Sequence, residues 1–544
     1  MSAIAKPSTS RNWTALSWTM ILAATIAVAS TARVFSGTVD EPAHLAAGMQ
    51  WLTTGEYSYD LQHPPLGRIA AALGPYVRGV RSTNDPAVYD EGAKILGSGA
   101  RYSDMLASAR HGELVFFVLL TLVVWFWARS LLGDAGAAIA TLLLVTNPNV
   151  LAHAGLATTD IACAATTTLA LFLAVRWVES PTMPRALAFG VGAALAVGSR
   201  LSALAFVGGA LVVCYALYAW VTRRATIDKA RGAPSALAQV GASAAVFLLV
   251  IWAIYRFAIG PMHPGGASVP APAFLAGVDT FLLHGSSGHP SFLLGTPANR
   301  GWWYYFPVAL AVKTPIPLLL LSIVGAAVAL ADAKARRDWR TAVPVAAALA
   351  MLAISTTVRV DLGVRLILPM YPLLAIVAAQ GAIRLWSDRA ARAARGRAMV
   401  GALLAWSLLI VVRAHPDHLS YFNALAGDHP EHVLVDSNLD WGQDLYRLRD
   451  TIVARGIRDT VRVAYFGTAD ISAAGVPNAR ELGLHERPTG WIAASETYLA
   501  GEWVGRAYDW LLDYPAVARI GPSMRLWYVP PATATTDSLR RSAR

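Results

Sequence analysis

Apolar runs, each near the twenty or so residues that a bilayer core requires, recur along most of this chain and leave little choice of fold. They fall at about 13–32, 114–132, 135–151, 161–178, 238–258, 306–331, 343–357, 364–383 and 399–412. Residues 186–221 add two further apolar pieces, broken at Gly198-Ser199-Arg200. The expectation is a polytopic α-helical membrane protein of about eleven spans. Charged residues make up 15% of the 544 residues, well below the quarter or so usual in soluble domains. The net charge of +11 is gathered in short loops such as 222–235, 334–340 and 384–397. That distribution is topological information, a positive-inside pattern, and gives no reason to expect nucleic acid as a partner.

Lys6 and Arg11 precede the first run, which places the N-terminus in the cytoplasm, with an uncleaved first helix favoured over a signal peptide. Loops 34–112 and 259–305 then lie outside, as does everything after residue 413. The protein is expected in the inner (plasma) membrane, multi-pass, with its C-terminal part periplasmic or extracellular. The pair within 186–221 is read as going out and back, and its topology stays open. Residues 414–544 mix charge with tryptophan. Strand-like runs (Val461 to Phe466, Trp491 to Ser495, Met524 to Val529) alternate there with helical patterns (Leu445 to Ala454, Val504 to Leu512). This predicts a small external α/β domain, 414–544, beside a membrane domain, 1–413. The two cysteines, Cys163 and Cys214, lie in apolar segments and exclude a disulfide framework and a cysteine-rich zinc site.

The chemistry concentrates between Asp40 and Leu66. Asp40-Glu41-Pro42-Ala43-His44 is followed by Asp60-Leu61-Gln62-His63-Pro64-Pro65-Leu66, just after the first span. A carboxylate at a membrane edge is suited to take a proton from a hydroxyl acceptor. The same acids with His44 or His63 are candidates to hold a divalent metal ion, with Asp40, Glu41 and His44 first among them. The prolines after His63 present that ring in a defined direction. Asp160 follows Thr158-Thr159 at a span's outer end, where helix capping and a substrate contact are both open. Arg110, Arg200, Lys313, Arg359 and Arg365 lie in the outer half of the membrane. Cations there suit a lipid phosphate, and Lys313, flanked by apolar residues, is least explained by snorkelling. Trp303 and Tyr304 stand in an aromatic run that fits an interfacial belt or a sugar-stacking wall. His263, His284 and His289 are too widely spaced to read as a metal site. The polar stretch Asp436 to Leu445 is favoured as a helix cap over a glycan contact.

Taken together, Asp40-Glu41, His63-Pro64-Pro65-Leu66, Arg110, Trp302-Trp303-Tyr304-Tyr305-Phe306-Pro307, Lys313-Thr314-Pro315 and the Asp436 to Leu445 stretch resemble the superfamily of protein O-mannosyltransferases and aminoarabinose transferases, and in particular its phospholipid carrier-dependent bacterial members. The resemblance covers nearly the whole chain. It implies a GT-C fold and a sugar donor carried on polyprenyl phosphate. It implies Asp40 as catalytic base with Glu41 beside it, His63 as the histidine of the His-Pro-Pro element, and Arg110 at the donor phosphate. Arg200 stands where many relatives have lysine, and Leu366 where a histidine is expected. The function expected is therefore transfer of a sugar from a polyprenyl-phosphate donor to an acceptor hydroxyl on the non-cytoplasmic face, the acceptor being lipid, protein or glycan. Asp40 and Glu41 would be catalytic. Arg110, Arg200, Lys313 and Arg365 would hold the phosphate, and His44, His63, Asp160, Trp303 and Tyr304 the substrates. A transporter or flippase of lipid-linked sugars is the alternative; it should carry its ionisable groups near mid-membrane.

Overall fold

A computed structural model describes residues 11–98, 101–222, 233–263, 265–387 and 393–531. Lys6, the basic loop 222–235 for most of its length and residues 388–392 of the loop 384–397 lie outside the described residues. Helix α1 (Arg11–Thr31) is the first crossing. The segment 34–112, expected as an external loop with amphipathic pieces such as Ile69 to Val77, is a layer of four helices, α2 (Glu41–Thr53), α3 (Pro65–Val77), α4 (Val88–Gly97) and α5 (Tyr102–Gly112). They pack through small residues. A Cβ on Gly48 of α2 would stand 2.0 Å from the Arg68 carbonyl oxygen of α3, and one on Gly112 would stand 1.9 Å from that of Ala70. Backbone contact this close leaves no room for a side chain.

Helix α6 (Leu114–Val145) is interrupted at Gly133 (φ 73°, ψ −173°), so the two expected spans meet at a glycine corner. The second arm stops at Val145 rather than 151, because α7 (Pro148–Ala154) starts afresh, with the Asn147 side chain accepting the Asn149 N–H. Next come α8 (Asp160–Glu179), α9 (Met183–Ser199), α10 (Ser202–Thr222) and α11 (Ala233–Ile254). The break expected within 186–221 is thus present, between Ser199 and Ser202. The second long loop holds the antiparallel pair β1 (Ile259–Pro261) and β2 (Ser268–Pro270), helix α12 (Pro272–Ser287), and the hairpin β3 (Ser291–Leu293) and β4 (Thr296–Ala298).

The crossing expected at 306–331 is divided into α13 (Tyr305–Lys313) and α14 (Ile316–Arg336). Thr314, with ψ 134°, is extended, as the ring of Pro315 demands of the residue before it. The helices α15 (Val343–Ser355), α16 (Met370–Trp386) and α17 (Ala393–Ala414) complete the membrane body. Among the described residues, seven helices are long and apolar enough to cross a membrane, and three shorter apolar helices accompany them. Helix α16 is central, with Tyr371, Leu373 and Ala375 to Ala379 buried. Leu22, Ile26, Leu237 and Leu248 stay exposed on α1 and α11, as expected of faces that meet lipid.

After α17 the chain forms α18 (Leu445–Ala454) and the strands β5 (Val461–Ala464), β6 (Ala479–Glu481), β7 (Gly490–Ser495), β8 (Ala518–Ile520) and β9 (Met524–Val529). The sheet order is β6-β5-β7-β9-β8. Strand β5 is parallel to β6 and β7, and β9 is antiparallel to β7 and β8. The helix expected over 504–512 is absent. Trp503 and Gly505 take positive φ (69° and 59°), which a right-handed helix does not accommodate, and only a 3-10 turn, Asp509–Asp513, follows. The sheet region is tied to the helical layer by backbone bonds, Ser36 N–H to Gln443 O (3.1 Å) and Val39 N–H to Trp441 O (3.1 Å).

Candidate active site

Three pieces of chain meet where the helical layer, the membrane body and the sheet region join, and between them lies a cavity of about 490 Å³. Asp40 is the residue that caps α2, yet its side chain makes no cap hydrogen bond. It is turned instead to Arg365, whose Nη1 donates to Oδ2 at 2.6 Å. Arg365 sits on a 3-10 turn (Val364–Ile367) ahead of α16. Its guanidinium lies over the Trp441 ring, 4.4 Å from the centroid, and its Nε donates to the Leu362 carbonyl. Asp40, Arg365 and Trp441 all line the cavity. Arg200 ends α9 and reaches the same space, paired with the Asp160 carboxylate at the start of α8. Asp160 also accepts the Thr158 hydroxyl at 2.9 Å and makes no cap bond, so the capping reading of this residue gives way to an ion pair.

His44 and His63 line the cavity with their rings edge to face, 5.2 Å apart. Burial first, and then the charge of Arg68, hold both imidazoles well below their ordinary pKa. Asp436, Asp60 and Tyr89 add further polar groups to the lining. Burial and then the nearby Asp40 push the Tyr89 hydroxyl up to about 12, so it stays a neutral donor. The lining also includes apolar side chains, among them Phe206 from α10, Ile354 from α15, and Val358, Leu366 and Phe306.

Other residues singled out in the sequence lie elsewhere. Glu41 is buried in a double hydrogen bond with Arg110, Nε to Oε1 and Nη2 to Oε2, both 2.7 Å. It also accepts the N–H groups of Thr38 (2.8 Å) and Ala157 (2.9 Å). Burial alone would raise its pKa, but the charge and hydrogen bonds of Arg110 outweigh that and hold the carboxyl below its ordinary value. The remaining donors of Arg110 go to the carbonyls of Ala32, Phe35 and Ser36. Every donor of this arginine is therefore spent inside the protein, and the phosphate contact expected of it has no free N–H. Lys313 is likewise outside the cavity. Its Nζ donates to the carbonyls of Leu419 (2.7 Å) and Asn438 (2.6 Å). Trp303 is 72% exposed, and neither it nor Tyr304 lines the cavity. Arg359 is exposed. Asp40, Glu41 and His44 do not converge, since one faces Arg365, one Arg110 and one Arg68. Among the described residues no cluster of three or more histidine, cysteine or acidic groups is placed to hold a metal ion.

Asp436, Trp441, His284 and His289, none of them expected as site residues, also line the cavity. Asp436 takes a left-handed backbone (φ 53°) in a stretch explained earlier as a helix cap. An aspartate and a tryptophan so close together in a polar run were the available signal. The spacing of His284 and His289 in the chain gives no metal pattern, yet their rings meet at 5.6 Å, and His289 meets Trp503 at 4.8 Å.

Residues 55–263 match the family model described as dolichyl-phosphate-mannose-protein mannosyltransferase. No curated protein matches the chain. Among solved structures, ArnT from Cupriavidus metallidurans bound to undecaprenyl phosphate superposes with a TM-score of 0.52 at 14% identity, over 96% of this chain and 100% of that one. Its apo state gives 0.51 at 15% identity, over 94% and 98%. The archaeal oligosaccharyltransferase AglB from Archaeoglobus fulgidus, in complex with an inhibitory peptide and a dolichol-phosphate, aligns at 0.47 and 12% identity, over 89% and 70%. The chain is thus a multi-pass membrane protein that shares the fold of ArnT and is similar over residues 55–263 to the dolichyl-phosphate-mannose-protein mannosyltransferase family.

Proposed function

We propose that the cavity is the active site of a membrane glycosyltransferase, which moves a sugar from a polyprenyl-phosphate donor to an acceptor hydroxyl on the non-cytoplasmic face. The observation that carries this reading is the union of an Asp40–Arg365 pair and an apolar strip from α10 and α15 in one cavity. A lipid phosphate needs both kinds of lining: hydrocarbon contact for the chain, and fixed cations for the headgroup. The undecaprenyl phosphate held by ArnT, a chain of the same fold, supports this reading, as does the family resemblance for a mannosyl-type donor.

In the reaction the acceptor oxygen attacks the anomeric carbon from the side opposite the phosphate. The bond from that carbon to the phosphate oxygen breaks, and its electron pair leaves on the phosphate. Asp40 takes the acceptor's proton as general base. Arg365 and Arg200 hold the charge that develops on the leaving group. Glu41 and Arg110 act at one remove, fixing the start of α2 and so the place of Asp40. Lys313 does the same for the loop that carries Asp436 and Trp441. Residues 1–413 form the membrane domain in this reading, and 414–544 an external domain that closes the cavity. The basic loops support a cytoplasmic N-terminus in this reading.

Purified protein given polyprenyl-phosphate mannose or polyprenyl-phosphate arabinose, with membrane lipid and glycan fractions as acceptors, is the test. Release of the lipid phosphate is the expected result. Binding of the donor lipid without release would make the protein a carrier of lipid-linked sugar instead.

A further inference from the structure

One wall of the cavity holds a network with no part in the steps above. His44 lies one helical turn beyond Asp40, its N–H donating to the Asp40 carbonyl at 3.1 Å. Facing its ring is Arg68 of α3, fully buried. Arg68 Nε donates to His44 Nδ1 at 3.0 Å. Its Nη1 donates to the Tyr57 hydroxyl (3.0 Å) and to the carbonyls of Tyr59 (3.1 Å) and Asp60 (3.0 Å), and its Nη2 to the Asp60 carboxylate. The Tyr57 hydroxyl donates in turn to the His63 carbonyl at 2.5 Å, so the two histidine segments are tied to one guanidinium.

A guanidinium has only donors and keeps its charge at any physiological pH. His44 Nδ1 must therefore offer a lone pair, and the ring's one proton belongs on Nε2. A second proton, on Nδ1, would stand opposite a donor and beside a fixed positive charge. The groups facing the ring are Arg68 and Asp60, His63, and Asp160 of α8. Burial and Arg68 dominate over the two carboxylates and keep the imidazole neutral.

We propose that Arg68 is a positioning residue that locks His44 as a neutral Nε2–H donor to the cavity, where it hydrogen-bonds an oxygen of the glycosyl group whose anomeric carbon lies at Asp40. The ligand-side half of this rests on the transferase reading; the tautomer does not. The arrangement also excludes His44 as a base or metal ligand through Nδ1.

The test is nitrogen NMR of the full-length protein in lipid nanodiscs with 15N-labelled histidine, the His44 signals being assigned by their loss in His44→Gln. The expected spectrum has a protonated Nε2 and a bare Nδ1, unchanged from pH 8 to pH 5. A proton on Nδ1, or titration within that range, would overturn the proposal. Arg68→Gln keeps an N–H donor but removes the charge, and should let His44 take up a second proton as the pH falls. Should that variant fail to fold, a pair of substitutions at His44 decides the direction of the donor. Glutamine places its amide N–H near the Nε2 position and asparagine near Nδ1. In the lipid-phosphate release assay His44→Gln should lose less than about tenfold and His44→Asn about a hundredfold. Equal losses would contradict the aim assigned to Nε2. If wild type releases no lipid phosphate from any donor, the transferase reading fails and the ligand-side half with it, while the spectrum still decides the tautomer.

Discussion

Arg110 and Arg365 show what separates a structural arginine from a site arginine. Both follow or precede apolar runs, and both pair with a carboxylate of the Asp40-Glu41 dipeptide. The sequence shows the two acids and the cations but not which meets which. The partners stand 69 and 325 positions apart, a matter settled only by how α5 and the turn before α16 are brought to the start of α2. The difference in solvent access leads to different outcomes. Glu41→Gln leaves a buried guanidinium without its counter-charge, which costs about 3–5 kcal/mol, and should be read as loss of folded protein in a thermal-shift assay. Arg365→Gln borders open cavity and should fold normally while raising the donor KM by about tenfold or more. A normal melting temperature for the first, or an unchanged donor KM for the second, would reverse these assignments.

At the scale of elements, spans and strands were legible because hydrophobic period and length are local properties; β9 and α18 fall where the pattern puts them. What escaped was set by single residues or by long-range packing. Pro315 divides one crossing in two, and positive φ at Trp503 and Gly505 stops a helix that the composition favours. In the helical layer of 34–112 only the amphipathic piece Ile69 to Val77, within α3, is legible in the sequence, because short helices hidden under neighbours carry no span-length signal. Its tight crossing makes a prediction: Gly48→Ala drives a methyl into the Arg68 backbone and should destabilise by about 1–3 kcal/mol, lowering the melting temperature. A second prediction concerns Asp361, in the segment between α15 and α16. Burial raises its carboxyl to about 7, one oxygen accepting the Trp302 N–H at 2.7 Å and the other buried without a partner. The folded protein then holds a proton that the unfolded chain, with a pKa of about 3.9, has already lost. Stability from this group should therefore fall as pH rises from about 4 to about 7. Melting curves across that range should flatten in Asp361→Asn; an unaltered slope would exclude the group as its source.

For the whole molecule, the functional space exists only where the sheet region closes on the membrane body. Lys313 illustrates the seam. The sequence marked it as a cation out of place, correctly as an anomaly, but the charge goes to two carbonyls of the 419–438 segment rather than to the cavity. Lys313→Met should strand those carbonyls, at about 1–3 kcal/mol. Proteolysis within 414–444 should become faster while the seven long membrane helices stay protected. Equal protection of both parts would argue against a strut. One paired measurement bears most directly on Asp40 as the proton acceptor in a lipid-phosphate site. Wild type and Asp40→Asn are compared for release of polyprenyl phosphate from a polyprenyl-phosphate sugar and, in parallel, for equilibrium binding of polyprenyl phosphate. Release should fall by about 10²–10⁴-fold in the variant with lipid binding kept or tightened, since Arg365 is freed from its ion pair. Full release by Asp40→Asn, or loss of lipid binding in step with loss of release, would contradict it.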